Sequence, residues 1–218
     1  MLTIYGRRSS SNVQKVMWLA GELSLAHAHV PLGGDYGGLS DESFLAINPH
    51  GLIPAIRDGD VVVWESHAIL RYLASTYGRG KFWSDSAAER SQADRWMDWA
   101  QSSWQPSFVS GVFWGWYRLP AEHRDEKSIA AAIQACSKHM RLLNKVLADR
   151  PYLTGESLTL ADIPIGASLY RYFTLEIERP DVPNVEAWRR RLEARAAYRE
   201  HVMIPFDELK DKPYPAGR

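Results

Sequence analysis

The sequence predicts two domains of different class, a small α/β domain followed by an all-helical one. Three observations carry this expectation. Short β-prone runs alternate with helical periods as far as Tyr77, strand signals stop after Gly78-Arg79-Gly80, and the remainder reads as helices separated by prolines. The first domain is assigned to residues 1–78 and the second to residues 86–218.

The elements follow in order. Residues 2–5 form a β-prone run that ends at Gly6. From Ser11 the period changes: Val13, Val16, Met17 and Ala20 recur at helical spacing, with Gly21 near the end. Residues 27–31 read as a second strand, and the glycine-rich residues 32–38 as a loop. A short helix is expected over residues 41–47, capped by Ser40 or Asp41. Residues 53–56 and 61–64 read as a hairpin closed by Asp58-Gly59-Asp60. Residues 65–77 are amphipathic, with Ile69, Leu70, Tyr72 and Leu73 on the inner side. In the second half, helices are expected over residues 87–116, 128–148, 160–173 and 184–197. Pro120, Pro151 and the pair Pro180 and Pro183 mark the breaks. Thr159 and Asp162 have capping-box spacing, with Asp in place of Glu, which starts a helix without needing a ligand.

Composition narrows the function. At 218 residues, 45% hydrophobic and 24% charged, the chain has the make-up of an ordinary globular protein with material for one large core or two small ones. Basic and acidic residues balance at 26 each, so no global field draws the chain to nucleic acid or to an anionic membrane. No apolar run approaches membrane-spanning length, and the apolar stretch at the start is too short for a signal peptide. A cytoplasmic location is expected. The lone cysteine, Cys136, rules out an internal disulfide and a cysteine-based metal cluster, and no metal is expected. With Ile133 and Met140 nearby, Cys136 reads as a buried apolar residue.

Three segments of the first domain carry candidate chemistry. Ser9-Ser10-Ser11-Asn12-Val13-Gln14-Lys15 lies where the first strand gives way to the first helix. Hydroxyl and amide groups there satisfy the orphan N–H groups of a helix start; alternatively, the positive polarity of that helix end attracts an anion such as a thiolate. Asn48-Pro49-His50-Gly51-Leu52-Ile53-Pro54 runs into a strand. It is either a rigid turn or, with a cis bond before Pro54, a turn whose Ile53 N–H and C=O face outward to pair with an extended peptide. Glu65 and Ser66 open a helix that follows a strand. They either cap it or, with its free N–H groups, hold the amine and carboxylate of an amino-acid end.

In this order and spacing the three segments together resemble the glutathione transferase family. The run Glu65-Ser66-His67-Ala68-Ile69 is the most specific piece and the turn at Pro54 the next. Thr159-Leu160-Ala161-Asp162-Ile163-Pro164 and Asn184-Val185-Glu186-Ala187-Trp188 extend the resemblance over essentially the whole chain. The resemblance implies a thioredoxin-like first domain, a homodimer, and glutathione as co-substrate for a detoxifying transferase that conjugates small hydrophobic electrophiles. It implies a γ-glutamyl site at Glu65 and Ser66 and a backbone contact for the cysteinyl unit at Ile53, before a cis Pro54.

The sulfur-activating group is assigned through the same resemblance. Tyrosine-type members carry their hydroxyl near the position of Tyr5, whereas serine-type members place it four residues ahead of a basic position. Lys15 resembles that basic position and points to Ser11; Asn12 matches an amide of some bacterial relatives, and Ser9 and Ser10 stay open as alternatives. Ser11 is expected to donate a hydrogen bond and not to act as a nucleophile, since no general base pairs with it and no Gly-x-Ser-x-Gly elbow is present. Where many relatives have a lysine that contacts the glycyl end of glutathione, this sequence has Leu52, and His50 is the candidate substitute. Ala196 stands where a proline is frequent. No Cys-x-x-Cys pair occupies the thioredoxin-like position, so any disulfide reduction must use the sulfur of glutathione itself. The second substrate is expected between the domains, with Trp104, Phe108, Trp114 and Tyr117 as candidate lining, although each singly also suits a core or a dimer contact. Two further readings stay open: a glutathione-dependent peroxidase or disulfide reductase, and a transferase-like binding module without catalysis.

Overall fold

The computed structural model describes residues 1–213. The chain divides into two compact units, one of Met1–Ala93 with Glu193–Ile204, the other of Asp94–Leu192 with the chain from Pro205 onward.

The first unit is built on a four-stranded sheet. Strands β1 (Leu2–Tyr5), β2 (His27–Val30), β3 (Ala55–Asp58) and β4 (Val61–Trp64) lie in the order β2-β1-β3-β4. β1 and β2 are parallel and joined by helix α1 (Ser11–Glu22), as parallel neighbours require a crossover. β3 pairs antiparallel with both β1 and β4. With the short helix α2 (Glu42–Leu45) and helix α3 (Ser66–Tyr77), this is the thioredoxin-like arrangement that the resemblance implies. The hairpin turns on Gly59-Asp60, and Gly59 takes the left-handed geometry (φ 59°) that a two-residue loop demands. β3 begins at Ala55, two residues later than its apolar run predicts, because Pro54 has no N–H to give to the ladder.

Helix α1 is buried from Val13 to Ala20, a wider face than the stripe its period predicts. The cause is cover from two sides. α3 packs against it, and so does a short helix from near the chain's end, α8 (Ala196–His201). Trp18 meets Tyr198 edge-on, with ring centroids 4.9 Å apart. Gly21 makes room for the approach, since a Cβ there would lie 2.9 Å from that of Ala197. Arg195, in extended backbone just before α8, grips Glu22 with two charge-assisted bonds, Nε to Oε1 at 2.6 Å and Nη2 to Oε2 at 2.5 Å. Residues 184–197 were expected as one helix. Instead α7 (Pro183–Glu193) stops and α8 restarts, and Arg195, extended between them, pairs with Glu22.

Helix α4 (Ala87–Trp99) starts before the second unit does and runs on as wide π-type turns over Ala100–Trp104 and Pro106–Arg118, where a regular helix over residues 87–116 is expected. Pro106 supplies no N–H to an α-type ladder, and the wider turns accommodate it. Helix α5 (Glu126–Val146) packs on this segment, with Gly111 facing Ala132 so closely that a Cβ on Gly111 would lie 2.5 Å from the alanine's. The Asp125 carboxylate opens α5 by accepting from the N–H groups of Lys127 and Ser128. Helix α6 (Asp162–Thr174) is anchored by Asp162, whose Oδ2 accepts from the Thr159 N–H at 2.9 Å and whose Oδ1 accepts from the Leu153 N–H at 3.0 Å. Burial pushes this carboxyl up to about 6, against the donors that pull it down.

Candidate active site

Strand register gathers the three chemistry-bearing segments. Tyr5 pairs with Ala55, and Ala55 pairs with Trp64. The residues one step beyond these strand ends, Gly6, Pro54 and Glu65, therefore meet at one end of the sheet. A Cβ on Gly6 would lie 2.6 Å from Val13 Cγ2 and 2.9 Å from Ile53 Cβ, so the missing side chain lets the first turn of α1 and the Pro54 turn close together. The Ile53–Pro54 peptide is cis. Asn48, buried, braces the same loop: its Nδ2 donates to the Leu52 carbonyl at 2.8 Å and its Oδ1 accepts from the His50 N–H at 3.1 Å. In the sequence, the signal for this brace is the Asn48-Pro49 pair that opens a turn.

Neither helix start spends its preceding side chain on capping. Ser10 is the residue before α1 and Glu65 the residue before α3, and neither side chain makes a cap hydrogen bond. Ser11 and Asn12 form the first turn of α1 and are partly exposed, whereas Ser9 is buried. Glu65 is exposed and has φ 68°, a left-handed conformation uncommon for this residue type and found at functional positions. Ser66 beside it is buried. Lys15, one turn into α1, ties the two helix starts: its Nζ donates to Asn12 Oδ1 at 2.9 Å and lies 3.3 Å from His67 Nε2 on the first turn of α3. Both residues are buried. Burial pulls the Lys15 amine down to about 7, partly opposed by the charge of Glu65, and burial with the charges of Lys15 and Arg71 takes the His67 imidazole down to about 2. His67 is thus neutral.

His50 is exposed, its ring edge-on to Trp64 with centroids 5.0 Å apart. Leu52 is exposed. Tyr5 packs into an apolar cluster with Phe44, Ile47 and Ala55. In the helical unit, Trp104 and Phe108 are 1% exposed. They stack on each other at 5.2 Å, both meet Tyr172, and Trp104 Nε1 donates to Ser168 Oγ at 2.7 Å. These two aromatics are core and have no surface to offer a ligand, so the expectation that they line a pocket gives way to packing. Trp114, at 37% exposure, and the partly buried Tyr117, stacked on Phe113, keep accessible ring surface. Cys136 is buried, and burial pushes its thiol up to about 12, which removes it from thiolate chemistry.

Comparison with known proteins agrees over most of the length. Residues 4–81 match the model of the glutathione S-transferase N-terminal domain, and residues 107–196 that of the glutathione S-transferase C-terminal domain. The chain is 38% identical over 207 residues to glutathione S-transferase GstB of Escherichia coli (strain K12), covering 94% of this chain and 99% of that one. It is 31% identical over 207 residues to glutathione S-transferase 3 of Zea mays, covering 92% and 93%. Among solved structures, the theta class glutathione S-transferase from the citrus canker pathogen Xanthomonas axonopodis pv. citri, with glutathione bound, aligns with a TM-score of 0.88 at 41% identity, over 94% of this chain and 98% of that one.

Proposed function

The chain belongs to the glutathione transferase family, and from that premise we propose that it joins the glutathione thiolate to small hydrophobic electrophiles. Glutathione lies along the Ile53–Pro54 turn, with its cysteinyl unit on the Ile53 backbone and its γ-glutamyl end at Glu65 and Ser66. Its sulfur faces the opening of α1. The observation that carries this reading is the meeting of the two uncapped helix starts and the Pro54 turn at one end of the sheet.

The chemistry asked of the protein is modest. A thiol of ordinary pKa, about 8.5, is only a few per cent thiolate at neutral pH, and each unit of depression takes about 1.4 kcal/mol. A Ser11 hydroxyl donating to sulfur, together with the helix end, supplies about one to two units. The thiolate then attacks the electrophilic carbon, and the displaced group leaves with its electron pair. Ser11 remains a donor throughout. His50 takes the glycyl end in place of the lysine absent at Leu52, and Trp114 and Tyr117 contact the electrophile. The enzyme works as a cytoplasmic homodimer, needs no metal, and has no nucleic-acid or membrane partner.

Three measurements test the reading in sequence: retention on immobilised glutathione, the rate with chlorodinitrobenzene, and the rate with an organic hydroperoxide. Retention with conjugation as the faster reaction is expected. Retention with peroxide reduction dominant would move the assignment to the reductive alternative. A chain that never binds glutathione would leave only the non-catalytic module. Size-exclusion chromatography with light scattering checks the dimer.

A further inference from the structure

We propose that Lys15 is a positioning residue for the sulfur: by holding Asn12 Oδ1 it turns the Nδ2 hydrogens of that amide away from the core, making Asn12 a second donor to the glutathione thiolate beside Ser11. This inference rests on the glutathione-binding reading above and adds to it how the donor is aimed.

An amide side chain has two chemically different ends that diverge from one carbon, and only its NH₂ end can stabilise an anion by hydrogen bonding. Left alone on a helix surface, Asn12 presents either end. Lys15 removes the choice. Long helical side chains lean back over the preceding turn, which brings Nζ from position 15 to the first turn of α1. Nζ donates in this contact, and the atom 2.9 Å from it is the amide oxygen Oδ1. Lys15 is buried and Asn12 partly exposed, so the oxygen is directed inward and the nitrogen towards the accessible side.

The anchor is itself held. His67 Nε2 lies 3.3 Å from Nζ and, being neutral, accepts from it with its proton on Nδ1, which fixes the lysine between the first turns of α1 and α3. Glu65 acts on the lysine through its charge, favouring the ammonium, and Arg71 acts on His67. The same contact thus links the γ-glutamyl side of the proposed site to the group facing the sulfur.

The test reads the ionisation of bound glutathione, followed as the ultraviolet thiolate absorbance across pH, alongside the dissociation constant for glutathione. Wild type is measured first; absence of glutathione binding there would defeat the proposed function and not this inference in particular. Lys15→Met is expected to raise the pKa of bound glutathione by about one unit, a tenfold loss of thiolate at pH values below it, with affinity changed by less than about twofold. Asn12→Ala is expected to do the same, and the double variant no more than either single one, because both remove one aimed donor. Lys15→Arg, which keeps an inward donor, should recover most of the shift. Ser11→Ala should add its own shift to that of Lys15→Met. Thermal unfolding of each variant separates misfolding from a change in ionisation. An unshifted thiol in Lys15→Met, additive effects of Lys15→Met and Asn12→Ala, or a loss of affinity beyond about tenfold with the thiol unshifted would each overturn the inference; the last would make Lys15 a ligand contact.

Discussion

Replacing Arg195 with alanine should loosen the first unit while leaving glutathione binding alone. The Glu22 side chain is only 6% exposed, and Arg195, at 28%, meets it with both Nε and Nη2. In Arg195→Ala the carboxylate keeps the Trp18 Nε1 donor at 3.1 Å but loses its cation. Removing one partner of a buried pair costs about 3–5 kcal/mol, and partial access of water to this pair lowers the expectation to about 2–3 kcal/mol. For a chain of this size that is a fall in Tm of roughly 4–12 °C. Glu22→Gln is the companion variant, since it keeps the Trp18 bond and removes the charge. Burial pushes the Glu22 carboxyl up, but the bonds from Arg195 and Trp18 and the charges of Arg195 and Lys81 outweigh it and hold it below its ordinary value. A carboxyl depressed in the folded state stabilises above its unfolded pKa, about 4.3, and that contribution fades as pH falls through the folded value. The stability gap between wild type and Glu22→Gln should therefore be full at pH near 7 and narrow in acid. Thermal unfolding followed by circular dichroism at both pH values measures it. Glutathione affinity should stay within about twofold, because Ser11 lies at the opposite end of α1, about 16 Å away. A loss under about 1 kcal/mol in Arg195→Ala, or a gap that persists unchanged into acid, would mean that the Arg195–Glu22 pair does not stabilise the first unit.

Three other substitutions follow from the same structure. Ser11→Ala should lower turnover at neutral pH by about 10–100-fold with little change in glutathione affinity, since a bond to a charged acceptor is worth about 1.5–3 kcal/mol; steady-state kinetics with chlorodinitrobenzene decide it, and unchanged turnover would move the role to Asn12, Ser9 or Ser10. Ser66→Ala should raise KM for glutathione about tenfold with kcat nearly kept, because it removes a binding contact common to ground and transition states. Asp162→Ala should cost about 3 kcal/mol in urea unfolding, because it leaves the Leu153 and Thr159 N–H groups buried without their acceptor; a loss near zero would mean that water replaces the carboxylate.

Local chemistry made most of the first unit readable in the sequence. The runs 2–5 and 61–64 are β-prone and bounded by turn residues, and both emerge as strands with those limits. The Glu65-Ser66 run opens a helix where expected, because a strand followed by an amphipathic period leaves little choice. What could not be read depends on distant partners. No glycine or proline breaks residues 184–197 into two helices, and the residue at the break, Arg195, pairs with Glu22, far away in sequence. The pairing of Lys15 with His67 spans fifty-two residues, and a lysine in a helical period ordinarily reads as solvent-facing. Trp104 and Phe108 show the limit in the other direction. Their spacing suited a pocket as well as a core, and only the Ser168 and Tyr172 contacts, supplied by another helix, choose between them.

The most direct test is a crystal structure of this chain with glutathione bound. The sulfur should lie within hydrogen-bond reach, about 3 Å, of a donor at Ser11 or Asn12, with the cysteinyl backbone on Ile53 and the γ-glutamyl end at Glu65 and Ser66. A ligand whose sulfur sits away from every side chain between Ser9 and Asn12 would contradict the account, whatever became of the fold.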